Sequence, residues 1–397
     1  MQQNYNKTIA ACFVSYIIQA VVNTFAPLLF VTFQQSYGIP LSFITALITL
    51  NFLIQLCLDF ASAFFIDKIG YRASLLIAHA FAALGLILLT VLPEMPGMPP
   101  FAGILISVFF YAIGGGLIEV VVSPVVEACP NDHKDRTMSL LHSFYCWGSV
   151  AVAVVSTAFF AVFGIHNWKI LSLIWAILPI VNGIVFIKLP LCELVPEGEK
   201  KLTLGELFKN RVFIILLLVI TCSGACELAV GQWASAFVES ALGISKSFGD
   251  LVGPALFAVL MGISRVIYGK YGDKMDLEKT MLYSSILCII GYLTVSLSSS
   301  AVVSLIGVAV CGFSVGILWP GTYSTASASI KGGGNTMFSF LALGGDLGCA
   351  SGPTLVGIAA SAFGDNLKTG ILTATIFPVV LTVLMLMKLG MRKKTKQ

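Results

Sequence analysis

Two carboxylates, Glu119 and Glu227, lie within long apolar stretches of a 397-residue chain that is 57% hydrophobic and only 11% charged. An acid in the hydrocarbon of a bilayer costs about 3 kcal/mol or more unless it is paired, protonated or facing water. Each acid is therefore a candidate for proton exchange or for hydrogen bonding to a polar ligand. A third candidate, Asp346, lies in a glycine-rich stretch. We expect Glu119 and Asp346 to carry a coupling proton.

Small residues surround Glu119. Gly115, Gly116, Glu119 and Ser123 recur at intervals of three and four residues and so share one helical face. Such a face packs closely against neighbouring helices, which directs the carboxylate to the interior of a bundle. Because burial favours the neutral acid and water favours the carboxylate, alternating exposure would make Glu119 take up and release a proton. The alternative is a permanently hydrogen-bonded structural acid.

Polar side chains at helical spacing supply candidate contacts for a polar ligand. Tyr16, Gln19 and Asn23 share one face of the first apolar stretch, and His142 and Tyr145 share a face of a later one. An asparagine offers both a donor and an acceptor to a hydroxyl group. We expect these five side chains to bind the ligand, although packing between helices would explain the same polar faces.

The second half of the chain adds further candidate contacts: Glu227, Gln232, Trp233, Trp319 and Tyr323. On an ideal helix the first three point in different directions, so they would line one pocket only if the helix breaks at the intervening glycine. The flat rings of Trp319 and Tyr323 suit a sugar and also suit a hydrophobic drug. These aromatic residues alone do not select between the two ligands.

Twelve apolar stretches position these side chains. They begin near residues 8, 41, 72, 101, 138, 168, 212, 249, 280, 302, 335 and 367, and each is about 20 residues long, as a membrane-spanning helix requires. We call them spans 1 to 12. The sequence therefore predicts an all-α protein that crosses the lipid bilayer twelve times.

Basic residues set the predicted orientation, because cytoplasmic loops retain lysine and arginine. With both termini in the cytoplasm, Lys169, Lys246 and Lys368 lie outside and the other 20 of the 23 basic residues lie inside or at inner helix ends. We expect the plasma membrane. The net charge of +4 then belongs to this inner rim, and no nucleic-acid partner is expected.

The chain is predicted to repeat itself. A polar segment at 192–211 separates six spans at 1–191 from six at 212–397, and it is expected to be a cytoplasmic linker. The loop after span 2, Asp67-Lys68-Ile-Gly-Tyr-Arg72, resembles Asp273-Lys274 after span 8. A match six spans apart indicates a parallel repeat of two pseudo-symmetric bundles.

Twelve spans with these loops resemble the major facilitator superfamily over the whole chain. The resemblance implies two six-helix bundles and assigns a conformational latch to the loop residues Asp67, Lys68, Arg72 and Asp273. The second loop departs from the pattern because it lacks the downstream Gly-Arg pair. Asp59 and Arg265 each lie eight residues before their loop acid, and we expect both to join a charge network at the inner gate.

Shorter runs resemble the fucose permease branch of that superfamily. These are the Gly-x-x-Glu-x-x-x-Ser-Pro run at 116–124 and Gly224-Ala-Cys-Glu227. The family places an acid in the first helix where this chain has Asn23. The resemblance implies proton-coupled secondary transport of a small polar solute, a sugar or sugar-like molecule, by alternating access.

Other function classes give different expectations. Embedded acids and aromatic residues would also suit an exporter of amphipathic or cationic drugs, and a non-transporting sensor could share the fold. An enzyme is not expected, because the sequence has no nucleotide-binding loop and its four histidines form no metal motif. We expect no cofactor and no metal, and a transporter that functions as a monomer.

Overall fold

The computed structural model describes residues 5–195, 200–234, 246–364 and 366–395, and the regular structure in these ranges is helical. Within them, nine helical segments are long and apolar enough to cross a membrane, and one of these contains both span 2 and span 3. Spans 8 and 11 form further helices of 26 and 29 residues. Helices are expected because the backbone finds no hydrogen-bond partner in hydrocarbon. The prediction of an all-α membrane protein is confirmed.

The first half of the chain begins with span 1. Its helices are span 1 at Asn6–Leu28, a short helix at Phe30–Tyr37, spans 2 and 3 together at Leu41–Val91, span 4 at Pro100–Ala128, span 5 at Lys134–Phe163 and span 6 at Trp168–Phe186. Span 1 ends one turn after Asn23, where Pro27 lacks the N–H group that a helix interior needs.

The second half begins with a short helix in the predicted linker. Its helices are Leu204–Lys209, span 7 at Arg211–Gly231, span 8 at Lys246–Tyr271, span 9 at Leu277–Leu297, span 10 at Ala301–Val315 and Leu318–Ser329, span 11 at Gly334–Ala362, and span 12 at Leu367–Ala374 and Ile376–Thr395. Residues 196–199 of the predicted linker lie outside the described residues.

Gly70 separates span 2 from span 3. Its φ of 80° and ψ of 159° lie in a region that residues with a Cβ rarely adopt. The chain therefore turns within the loop motif, two residues before Arg72. The guanidinium of Arg72 donates hydrogen bonds to the carbonyls of Phe186, Ile187 and Leu189. Arg72 thus caps the C-terminal end of span 6, whose last carbonyls have no partner within the helix.

The chain forms two compact units. Unit 1 contains Met1–Pro130, Trp147–Glu199 and Gly334–Ser339, and unit 2 contains Asn131–Cys146, Lys200–Gly333 and Phe340–Gln397. The first part of span 5 therefore belongs to unit 2, and the first six residues of span 11 belong to unit 1. The division into bundles at 1–191 and 212–397 stays a prediction.

Three successive glycines let span 4 pack closely within unit 1. A Cβ on Gly114 would lie 2.4 Å from the backbone of Ala82, one on Gly115 would lie 2.9 Å from Val22, and one on Gly116 would lie 3.2 Å from the Cα of Gln55. Successive residues differ by about 100° around a helix. The three glycines therefore face spans 3, 1 and 2 in turn, and they bring the helix of Glu119 close to all three.

Spans 7 and 11 make the corresponding close contact in unit 2. A Cβ on Gly348 would lie 1.9 Å from the carbonyl oxygen of Thr221, and a Cβ on Gly352 would lie 2.4 Å from that of Ala225. Small residues at such a spacing allow two membrane helices to approach through their backbones. This contact fixes the positions of Glu227 on span 7 and Asp346 on span 11.

Candidate functional site

The predicted ligand face of span 1 contacts Glu119 and its neighbour in unit 1. Gln19 Nε2 donates a hydrogen bond to Glu119 Oε2 at 2.8 Å. One turn away, the hydroxyls of Tyr16 and Ser123 are also 2.8 Å apart. The common face predicted for Glu119 and Ser123 therefore lies against the common face predicted for Tyr16 and Gln19.

Asn23 lies beside two amides of span 2. Its Oδ1 accepts hydrogen bonds from Gln55 Nε2 at 2.8 Å and from Asn51 Nδ2 at 3.3 Å. Asn51 and Gln55 were missed from the sequence. Their signal was visible, since Asn51, Gln55 and Asp59 recur every four residues and so share one face of span 2.

We call the polar groups shared by spans 1, 2 and 4 the amide–acid cluster; its members are Tyr16, Gln19, Asn23, Asn51, Gln55, Glu119 and Ser123. Tyr16, Gln19 and Gln55 are buried, whereas Asn23, Asn51 and Glu119 are half-buried. A carboxyl group that is partly accessible and bonded to an amide can exchange a proton. The surrounding amides and hydroxyls can bind the hydroxyl or amino groups of a solute.

Arg265 organises the second set of predicted residues, all in unit 2. Only 3% of Arg265 is exposed. Its guanidinium donates to the carbonyls of Gly316 at 2.9 Å and His142 at 3.0 Å, and Nη1 lies 2.9 Å from Cys146 Sγ. Nη2 lies 3.5 Å from Glu227 Oε2. One buried cation of span 8 thus joins spans 5, 7 and 10.

Aromatic rings lie beside this cation. The ring of Tyr323 lies 5.7 Å from that of His142 and 6.4 Å from that of Trp319, in an edge-on arrangement with the latter. Trp319 packs against Gly345, where a Cβ would lie 2.2 Å from the indole. The half-buried Asp346 is the next residue of span 11. Tyr145 is half-buried one turn along span 5 from His142.

Gln232 and Trp233 follow the end of span 7. The helix ends at Gly231, and Gln232 is exposed. The indole of Trp233 donates a hydrogen bond to the carbonyl of Pro353 at 3.0 Å. Span 7 thus ends at the glycine where a break was expected, and Trp233 connects its end to span 11.

The first loop motif forms polar contacts inside unit 1. Asn335 Nδ2 donates to Asp67 Oδ1 at 2.5 Å, and Asn335 Oδ1 accepts from the hydroxyl of Tyr71 at 2.7 Å. Lys68 is exposed, whereas Asp59 is fully buried on span 2. Asn335 lies at the start of span 11 and was missed from the sequence, because no local pattern relates residues 268 positions apart.

The second loop motif has a similar arrangement inside unit 2. Asp273 forms ion pairs with Arg136 and with His133, whose Nδ1 lies 2.9 Å away. Arg136 Nε also donates to the carbonyl of Gly269 at 2.7 Å, near the end of span 8. In each unit the loop acid therefore contacts a residue near the start of span 5 or span 11. Arg136 and His133 were also missed from the sequence.

A metal site would need several ligating side chains together. Among the described residues, no group of three or more histidine, cysteine, aspartate or glutamate side chains has the geometry to hold a metal ion.

Comparison with models of protein families identifies the family of this chain. The family model of the Major Facilitator Superfamily matches residues 9–353. The membrane protein MosC of Rhizobium meliloti is 23% identical over 264 residues, which are 66% of this chain and 62% of MosC. The match thus spans less than two thirds of that relative.

Solved structures with the same fold include transporters of different solutes. A fucose:proton symporter of E. coli superposes with a TM-score of 0.80 at 16% identity, covering 96% of this chain and 98% of that one. A proton:xylose symporter bound to a bromodeoxyglucose gives 0.79 at 12% identity, covering 95% and 94%. The human organic anion transporter TETRAN gives 0.73 at 15% identity, covering 97% and 100%.

Proposed function

Because this chain belongs to the Major Facilitator Superfamily, and is therefore a multi-pass membrane transporter and not an enzyme, we propose that it carries a small polar solute together with protons. The proposed solute is a sugar or sugar-like molecule. Two solved structures with this fold are proton-coupled sugar symporters, which supports the choice without deciding it. The proposed cycle is alternating access, in the plasma membrane, with cytoplasmic termini and a monomeric transporter.

The observation that carries the proposal is the hydrogen bond from Gln19 to Glu119 in the amide–acid cluster. A hydrogen bond to an ionised carboxylate is roughly twice as strong as one between neutral groups. Protonation of Glu119 would therefore weaken its hold on Gln19, which lies on the predicted ligand face of span 1. Proton binding and solute binding would thus be coupled through one side chain.

The remaining residues with proposed roles lie in both units. In unit 2, Asp346 is the second proposed proton carrier, and the groups proposed to contact the solute are Glu227, Gln232, Trp233, His142, Tyr145, Trp319 and Tyr323. In unit 1, Tyr16, Gln19 and Asn23 have the same proposed role. The proposed gating residues are Asp59, Asp67, Lys68, Arg72, Arg265 and Asp273, because loop contacts that form and break would time the cycle.

The test of proton coupling uses Glu119→Gln in proteoliposomes. The amide keeps the size of the side chain but binds no proton. We expect the variant to lose accumulation of L-fucose or D-xylose driven by a pH gradient, while it keeps exchange of the same sugar across the membrane. Glu193→Gln, an exposed acid in the predicted linker, is the matched control. Unchanged gradient-driven accumulation in Glu119→Gln would exclude Glu119 as the carrier.

A binding panel tests the solute class separately. Purified protein is heated with L-fucose, D-xylose, myo-inositol or a lipophilic cation at two pH values, because a ligand that binds the native state raises its unfolding temperature. Stabilisation by a sugar or polyol is expected. Stabilisation by the cations alone would instead identify an exporter of cationic drugs, for which the ring pair of Trp319 and Tyr323 would supply the apolar contacts.

A further inference from the structure

Two acceptor atoms of the amide–acid cluster are unsatisfied. Within the described part of the chain, Gln19 Oε1 and Asn51 Oδ1 are buried and accept no hydrogen bond. Only 4% of Gln19 is exposed. Buried polar atoms are nearly always paired, so two such oxygens on adjacent helices need a physical explanation.

The nitrogens of the same side chains donate hydrogen bonds within the cluster. Gln19 Nε2 donates to Glu119, whereas Asn51 Nδ2 and Gln55 Nε2 both donate to Asn23 Oδ1. These bonds fix the direction of each amide, because turning Gln19 around would place its oxygen against the carboxylate. These directions leave Gln19 Oε1 and Asn51 Oδ1 without a donor from the cluster.

An unsatisfied buried acceptor destabilises the solute-free protein by about 1–3 kcal/mol. A ligand that donates to that acceptor removes the penalty, so part of its binding free energy comes from relief of a defect already present. Asn51 and Glu119 are half-buried, so the cluster borders accessible space. A small rotation of Asn51 would bring its oxygen to a ligand there.

We propose that the amide–acid cluster is an acceptor site in which Gln19 Oε1 and Asn51 Oδ1 each accept a hydrogen bond from the transported solute. The solute class is then rich in donors, namely a polyol or an amine. Carboxylates and phosphate esters fit these two oxygens poorly, since they would present acceptors to two carbonyl oxygens and negative charge to an ionised Glu119. This inference deepens the proposed function and rests on it, and it adds Asn51 as a residue that determines specificity.

The experiment compares the wild-type protein with Asn51→Leu, which removes the acceptor, and with Asn51→Asp, which keeps one. Gln35→Leu, an exposed amide on the short helix after span 1, is the control. Each protein is heated alone and with D-glucose, its monodeoxy derivatives and its monodeoxyfluoro derivatives. Fluorine replaces a hydroxyl in size but cannot donate. A site that accepts from the solute therefore loses affinity equally with both kinds of derivative.

The expected result has two parts. Without solute, Asn51→Leu unfolds at the wild-type temperature or above it. It removes an unsatisfied acceptor, which offsets the loss of the 3.3 Å bond to Asn23 Oδ1, and that oxygen still accepts from Gln55. With solute, replacing the hydroxyl at each of at least two sugar positions lowers the affinity about tenfold, whether hydrogen or fluorine takes its place. In Asn51→Leu one of these tenfold losses disappears, whereas both persist in Asn51→Asp and in Gln35→Leu. The proposal is overturned if Asn51→Leu unfolds several degrees below the wild type without solute and keeps every tenfold loss of affinity. That result would show that Asn51 has a structural role.

A second arm separates this inference from the sugar proposal. Benzylammonium and benzyltrimethylammonium carry the same charge, but only the first has N–H donors. If no sugar binds, the proposed solute class fails. Preference for benzylammonium that is lost in Asn51→Leu would still support the acceptor site. Equal affinity for the two cations, or no binding of either, would then overturn it.

Discussion

Replacement of Arg265 by methionine should destabilise unit 2 more than most single substitutions. Methionine keeps much of the volume of arginine but provides no donor. The change leaves the carbonyls of His142 and Gly316 without the donor that now reaches them. It also leaves the carboxylate of Glu227 without its cation at 3.5 Å. The rigid, planar guanidinium makes these contacts together, which a compact ammonium cannot do.

The magnitude follows from the distance and the burial. Two unit charges 3.5 Å apart attract each other by about 5 kcal/mol at an effective dielectric constant of about 20. Desolvation offsets much of this energy, so the net coupling of Arg265 with Glu227 should be about 1–3 kcal/mol. Removing only one partner of a buried pair costs about 3–5 kcal/mol. We therefore expect Arg265→Met to lower the free energy of unfolding by about 3–5 kcal/mol.

The assay is unfolding in mixed micelles by increasing fractions of SDS, followed by tryptophan fluorescence. The set contains the wild type, Arg265→Met, Glu227→Gln and the double variant. The free energy of unfolding of the double variant should be about 1–3 kcal/mol higher than the value obtained by adding the two single effects. Arg265→Lys keeps the charge but loses the planar guanidinium, so its free energy of unfolding should lie between those of the wild type and Arg265→Met. A stability of Arg265→Met within about 0.5 kcal/mol of wild type, with no coupling to Glu227, would refute the reasoning.

Two further predictions concern a helix contact and a pH effect. Gly348→Ala should lower the unfolding temperature sharply, since its Cβ would lie 1.9 Å from the carbonyl oxygen of Thr221. At Gly390 a Cβ would meet open space, so Gly390→Ala should raise the free energy of unfolding by up to about 1 kcal/mol. Equal effects of the two substitutions on thermal unfolding would contradict this prediction. The hydrogen bond from Lys200 lowers the pKa of Glu206 to about 2, below its usual value of about 4.3. Its stabilisation of the helix at Leu204–Lys209 should thus be complete above about pH 4.3 and be lost as the pH falls through about 2. Hydrogen exchange of that helix, corrected for intrinsic rates, should show this change and should lack it in Glu206→Gln.

Local patterns predicted the helices because each depends on residues close in sequence. The start of every described span lies within about four residues of the predicted start. Small residues and acids at intervals of three and four also predicted that Glu119 and Ser123 share a face, and the bonds to Gln19 and Tyr16 confirm that face. The turn at Gly70 likewise follows from a residue type that alone tolerates its backbone angles.

Contacts between distant residues could not be predicted in this way. Arg265 was expected at a gate because of its distance from Asp273 along the chain. Its bonds to His142 and Gly316 depend on how three helices pack, and no spacing within span 8 encodes them. The same reason explains why Asn335 was not associated with Asp67. Asn51, by contrast, was missed although the period of four in span 2 pointed to it.

The position of Asn23 changes how proton coupling should be considered. The resemblance to the fucose permease branch places an acid there, and this chain has an asparagine instead. Asn23 Oδ1 instead accepts from both Asn51 and Gln55, so it serves as the acceptor that orients two amides. An asparagine does not titrate, and a neutral acceptor there leaves Glu119 as the carboxyl group of the amide–acid cluster. In our proposal, the amides therefore recognise the solute and the single acid carries the proton, with Gln19 bonded to the acid and open to the solute through its unsatisfied oxygen.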